Sequence, residues 1–185
     1  MKRLFLLVAV AISAVALRAE GVKFEANVTE PGQLLTVIGD NVDKIDTLVV
    51  KGPVNKDDFA TMWHECFYGK LTVIDLKEAQ IEGQRIPDHA FYNSQSQIVE
   101  NKTIHLKLRK IVLPDNLQEI GSLAFCRTEL ESLELPSGLK TISNSAFLRC
   151  YSLTGNVVLP EGLTTLERGC FQDCTNCRAL NFQAP

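Results

Sequence analysis

Residues 133–150 read LELPSGLKTISNSAFLRC, and the frame they set recurs on both sides. Residues 111–128 read IVLPDNLQEIGSLAFCRT, and residues 157–174 read VVLPEGLTTLERGCFQDC. Leu113-Pro114, Leu135-Pro136 and Leu159-Pro160 are spaced by 22 and then 24 residues. Leu117, Leu139 and Leu163 follow, then Ile120, Ile142 and Leu166, then Ala124-Phe125, Ala146-Phe147 and Cys170-Phe171. Every position shifts by the same two spacings, so the match is a register and not a bias of composition. Cys150 and Cys174 also correspond, and Thr128 holds their place in the earlier unit.

The frame continues outward in weaker form. Leu71, Ile74 and Leu76 read as a strand, and Ile86-Pro87-Asp88-His89-Ala90-Phe91 repeats the isoleucine-to-phenylalanine spacing. Leu48-Val49-Val50 reads as an earlier strand, and Leu180-Asn181-Phe182 matches Val157-Val158-Leu159. This makes five to six turns, some incomplete. In each, a short strand places one residue outward between two inward ones. The proline that follows has no N–H to donate and ends the pairing. The rest of the unit returns the chain with Leu, Ile, Ala and Phe inward. One unit cannot bury that apolar set alone, but stacked units bury it between neighbours while their strands pair in parallel. Ser, Gly and Asn interleave the return, which predicts irregular or 3-10 turns there.

One helix is expected near the N-terminus. Asn55 is a good N-cap, and Phe59, Met62, Trp63 and Cys66 follow at helical spacing on one face. Asp57 and Asp58 suit the positive end of the helix dipole. A Trp and Met stripe of this kind reads as core, covering the exposed start of the stack. Between Phe91 and Leu106, residues 92–105 form an insertion in which Gln97-Ile98-Val99 and Thr103-Ile104 pair as a hairpin around Asn101-Lys102.

The chain opens with Met1-Lys2-Arg3, an apolar run from Leu4 to Leu17, and small residues at Ala14, Ala16 and Ala19. Basic, then apolar, then small is the layout of a secretory signal peptide. The run is too short to span a bilayer, which takes roughly 18–20 residues. Residues 1–19 are therefore expected to be removed, 20–44 to form a lead-in, and 45–185 to form the repeat domain with an incomplete last repeat. Loss of Lys2, Arg3 and Arg18 leaves 16 basic against 22 acidic residues. A mildly acidic chain with no basic cluster is a poor nucleic-acid binder. The mature chain is expected to hold no transmembrane segment.

The frame Leu-x-Leu-Pro-x-x-Leu-x-x-Ile-x-x-x-Ala-Phe-x-x-Cys at Leu133–Cys150 resembles the BspA-type leucine-rich repeat, and the resemblance spans about residues 45–182. It implies a leucine-rich-repeat solenoid, with short parallel strands on one face, irregular or 3-10 turns on the other, and one N-terminal helix. Proteins of this family are typical of the surface and secretions of Bacteroides and related bacteria. The resemblance implies an exported protein at the cell surface, in the periplasm or released. It also implies adhesion, through a protein or glycoprotein partner in host matrix or on a microbial surface. A structural part of a cell-envelope assembly is the alternative.

No catalytic constellation stands out: there is no Gly-x-Ser-x-Gly, no His-Glu-x-x-His and no phosphate-binding glycine loop. The expectation is a non-enzyme without cofactors. Cys170, Cys174 and Cys177 lie at C-x3-C-x2-C, but a structural zinc wants four ligands and none completes the set. Export makes disulfides credible, with Cys150–Cys174, Cys174–Cys177 and Cys170–Cys177 as candidate pairs. Asn27 and Asn101 sit in N-glycosylation sequons, and Asp46-Thr47-Leu48 matches a short O-glycosylation signal of Bacteroidetes. In a stack of this kind the sheet face is the docking surface. Its outward ladder reads Val49, Asp75, Val112, Glu134, Val158 and Asn181, flanked by Lys110, Ser132 and Asn156. Outward valines admit two readings, a partner patch or the ordinary preference of strands for β-branched residues.

Overall fold

The computed structural model describes residues 21–92, 98–99, 102–103 and 106–182, so the expected signal peptide at 1–19 lies outside the described residues. Four strands pair side by side, all in parallel: β1 (Val22–Asn27), β2 (Ile45–Val54), β3 (Val73–Asp75) and β8 (Lys110–Val112). Leu48, Ile74 and Ile111 stand in one inward row at 0–4% exposure. The lead-in thus supplies β1 to the main sheet, beyond the strand at Leu48–Val50 with which the sequence pattern begins.

β2 is long because it serves two neighbours. Its first half pairs with β3 and its last three residues with β4 (Ala79–Ile81). The joint is Gly52, where φ is 89° and a Cβ would stand 2.1 Å from the carbonyl oxygen of Val28. Only glycine allows both the left-handed backbone and that approach.

The return side is more regular than expected. Two-residue strands β5 (Arg85–Ile86), β9 (Glu119–Ile120), β10 (Thr141–Ile142) and β12 (Thr165–Leu166) pair in parallel, with Ile86, Ile120 and Ile142 fully buried. The expectation of irregular or 3-10 turns is corrected there, since a two-residue strand shows no alternation by which to recognise it. Among the described residues the 3-10 turns are Gly39–Asn41 and Glu82–Gln84.

The Ala-Phe turns add a third line of rung-to-rung bonds. Phe91, Phe125 and Phe147 each donate N–H to the carbonyl of Ala124, Ala146 and Cys170 in the next unit, at 2.7–2.8 Å. The rings of Phe91, Phe125, Phe147 and Phe171 stack nearly parallel at centroid spacings of 5.4, 5.2 and 5.0 Å. His89, Leu123 and Ser145 precede these turns with φ of 60°, 56° and 54°, and the corresponding residue in the last unit is Gly169 at 70°. The backbone therefore holds a left-handed residue at this place in each unit, whatever side chain stands there, and a second recurs four residues on at Arg127, Arg149 and Asp173, with φ of 60°, 59° and 62°.

Among the described residues two α-helices form where one was expected. α2 (Lys56–Phe67) has Asn55 as its N-cap, with Phe59, Met62 and Cys66 buried. The second, α1 (Leu34–Ile38), belongs to the lead-in. Five residues without a side-chain cap form no stable helix alone. Burial of Leu34 and Ile38 and the carboxylate of Asp58 hold it. Asp58 is fully buried and accepts N–H bonds from Gly32 (2.7 Å), Leu34 (2.9 Å) and Asn55 (2.9 Å). One side chain thus completes the capping box of α2 and ties the start of α1 to it.

The insertion pairs β6 (Ile98–Val99) with β7 (Lys102–Thr103), antiparallel, as expected. Val99 stands opposite Lys102, so Lys102 belongs to the strand.

Candidate protein-binding face

The expected outward ladder divides into three parts. Glu25, Val49, Asp75 and Val112 stand in one in-register row across β1, β2, β3 and β8. Val158 and Asn181 pair in a second sheet, β11 (Gly155–Leu159) with β13 (Cys177–Phe182). Glu134 lies between them in a segment that forms no strand, so one continuous ladder is corrected to two rows and a break. Val158 is 44% exposed, and Asn156, Ser132, Glu134 and Lys110 are exposed. Val49 is 8% exposed, which corrects its reading as a surface residue. Glu25 and Asp75 flank it at strand spacing and cover it.

The break has a local cause. Units still bond at residue 131, where Glu131 N–H reaches the Arg109 carbonyl at 3.0 Å and Thr154 N–H reaches that of Glu131 at 3.0 Å. From Ser132 to Pro136 strand pairing stops. At the central outward position β8 and β11 carry Val112 and Val158, whereas this unit has Glu134, which suits a strand less. Leu135 is half-buried as a result, while its counterparts Leu113 and Leu159 are 5% and 1% exposed.

A cleft of about 250 Å³ opens at this break. Lys110 and Val112 line one wall, Ser132 and Glu134 the other, with Lys77 and Asp115 at its edge. Lys77 and Asp115 are ion-paired. Four of the nine residues picked as the ladder thus meet around one concavity in the sheet face. The remaining face carries compensated charge: Lys23 pairs with Glu25 at 2.9 Å, and Lys51 bridges Glu25 at 3.7 Å and Glu78 at 3.1 Å. Lys51 holds its proton more firmly than usual, chiefly through the Glu78 carboxylate.

A second shallow cleft, about 270 Å³, lies between α2 and residues 87–92, lined by Lys56, Trp63, His89 and Tyr92 among others. Trp63 Nε1 donates to the Tyr92 carbonyl at 2.9 Å, and its ring stacks on Phe67 at 5.3 Å. Helical spacing predicts that the whole stripe is core. Met62 and Cys66 are core, but Trp63 is half-buried, and periodicity alone does not separate the two.

All six cysteines are free thiols, five of them buried. Cys170 donates to the Glu167 carbonyl at 2.6 Å, and burial pushes its pKa up to about 11. Cys150 and Cys174 donate to the carbonyls of Phe125 and Phe147, each at 3.1 Å. Among the described residues no group of three or more His, Cys, Asp or Glu side chains is placed to hold a metal ion, and no helix is long and apolar enough to cross a membrane.

Parallel strands in repeating register, a second line of short strands and a stack of equivalent phenylalanines define a leucine-rich-repeat fold. Residues 97–185 match the family model for the BspA type leucine rich repeat region in 6 copies. Among solved structures the chain is similar to a leucine rich repeat protein of T. pallidum, at 21% identity and a TM-score of 0.43 over 85% of this chain. It is also similar to a leucine rich cell surface protein of Faecalibacterium prausnitzii A2-165, at 16% identity and a TM-score of 0.45 over 88% of this chain. The chain spans 56% of the first protein and 32% of the second. No curated protein matches it.

Proposed function

We propose that this chain is an exported, non-enzymatic leucine-rich-repeat protein that binds a protein or glycoprotein on a host or microbial surface. Residues 1–19 act as its signal peptide, and the mature chain works at the cell surface, in the periplasm or after release. The observation that carries the binding reading is the cleft at the sheet break, where Lys110, Val112, Ser132 and Glu134 converge. A concavity that presents both charges beside Val112 and the half-buried Leu135 suits an interface better than a solvated sheet does. The face beside it is already charge-compensated, so a partner is met by shape and local polarity and not by long-range attraction.

The test is binding of folded recombinant 20–185 to immobilised fibronectin, fibrinogen, collagen and mucin. Saturable, salt-tolerant binding to one of them is expected, and it weakens at least tenfold in Val112→Lys with the circular dichroism unchanged. A folded chain that binds none of the four removes the matrix-adhesin reading.

A structural role in an envelope assembly is the second reading. Leu166 is 40% exposed and Leu163 and Phe171 are half-buried, whereas their counterparts Ile142, Leu139 and Phe147 are fully buried. That edge would then stack against another chain. Light scattering that shows a monomer at high concentration would count against self-association of this kind.

A further inference from the structure

Cys150 and Cys174 hold the same place in successive units, and Thr128 holds it in the unit before. The side chains of this column stand in van der Waals reach of one another: Thr128 Oγ1 lies 3.4 Å from Cys150 Sγ. The next step of the column places Cys174 against Cys150. Both sulfurs take the same orientation, each donating to the carbonyl of the phenylalanine one unit back. The flanking rings step by 5.2 and 5.0 Å, and a separation of about 5 Å lies within the Cα range of a disulfide. None of the other four thiols has this arrangement. Cys66 is buried on α2, Cys126 lies outside the column, Cys170 is turned onto the Glu167 carbonyl, and Cys177 is half-buried.

The pair is also asymmetric. Cys150 is fully buried, while Cys174 is 9% exposed. The neighbouring Cys174 thiol, with burial, holds the Cys150 proton on. Cys150 in turn lowers the pKa of Cys174 and favours its thiolate. A nucleophile needs the thiolate form and access to its target, and Cys174 has the better claim to both.

We propose that Cys150 and Cys174 form an oxidative cross-linking site, closing a disulfide between the last two repeat units when the chain meets a disulfide oxidant. The Cys174 thiolate attacks one sulfur of the oxidant, a small or protein disulfide. The oxidant's S–S bond breaks, one half leaves as thiolate, and a mixed disulfide forms on Cys174. Cys150 gives up its proton to the departing thiolate and attacks the Cys174 sulfur, expelling the second half. The protein loses two thiol hydrogens, and the oxidant is reduced by two electrons. The bridge staples the unit whose Leu163, Leu166 and Phe171 are least well covered, which is where a cross-link has most to hold. It stands independently of the binding partner.

The experiment is incubation of the reduced full-length chain with oxidised glutathione at increasing ratio. Free thiols are then alkylated, followed by non-reducing peptide mapping and thermal unfolding. The expected result is a linked Cys150–Cys174 peptide that has lost two hydrogens, with Tm raised by about 5–10 °C and restored to the reduced value by dithiothreitol. Cys150→Thr copies the residue that Thr128 supplies one unit earlier, so this variant keeps the fold; it loses both the linked peptide and the shift. Glutathione carried on Cys177 alone, a Cys170–Cys177 bridge, or no reaction of the folded wild type would each overturn the proposal.

Discussion

The region before residue 92 and the region after 106 pack the same kind of core by different means. In the first, order is concentrated in single devices: a ten-residue strand serving two sheets, Gly52 at its bend, and Asp58 joining two helices. In the second, order is distributed, since each unit contributes one leucine pair, one isoleucine or leucine, one phenylalanine and a left-handed turn. A concentrated device fails all at once when removed. A distributed one fails rung by rung, and each rung has a neighbour that shows what belongs there.

The largest effect expected from breaking this contrast is in the phenylalanine stack. Phe147→Ala removes a fully buried ring that stacks on both Phe125 and Phe171, and should cost about 4 kcal/mol. Hydrogen exchange should show the loss confined to residues after about 140, with β1–β3 protected as before. If protection falls throughout, the units are not locally coupled in the way the stack implies.

Asp58→Ala comes next, at about 3 kcal/mol, because the buried carboxylate is lost to the N–H groups of Gly32, Leu34 and Asn55, of which that of Leu34 is itself buried. The expected signature is the reverse of the first: α1 and β1 lose protection while the stack after 106 keeps it. Asp58→Asn, which keeps one oxygen acceptor, should recover part of the loss in chemical denaturation.

The smallest effect has the opposite sign. Ser145 stands at φ 54° where the last unit has Gly169 at 70°. Ser145→Gly relieves the left-handed strain of a side-chain-bearing residue and should raise stability by up to about 1 kcal/mol. Gly169→Ala imposes that strain and should lower stability by a similar amount, its Cβ 3.2 Å from Ser145 Oγ. A denaturation midpoint that moves the same way in both variants would show that the left-handed turn is not the term being measured.

The same contrast explains what was legible in the sequence. Repeated positions announce themselves: Leu113, Ile120, Ala124 and Phe125 and their counterparts were identified by register, and Ile120, Ala124 and Phe125 are fully buried, with Leu113 at 5%. Asn55 as a helix cap was legible because capping is local in sequence. Asp58 was seen as a dipole residue but not as a clamp, since its partners Gly32 and Leu34 lie 26 and 24 residues away. α1 was invisible for the same reason, being held by tertiary contacts that five residues cannot signal. The sheet break escaped because the register at Leu133–Leu135 is perfect. Glu134 was the available sign, a charged residue where both neighbouring strands carry a valine. The cleft they open is where the ladder reading and the structure meet.

The measurement that bears most directly on that cleft is hydrogen exchange of the wild-type chain with and without whichever ligand of the matrix panel it binds. The account predicts that amides of 132–137, which lack strand pairing in the free chain, exchange early and become protected in the complex together with those of 110–113. Protection that appears instead around Trp63 and Tyr92, with 132–137 unchanged, would contradict it and move the binding site to the second cleft.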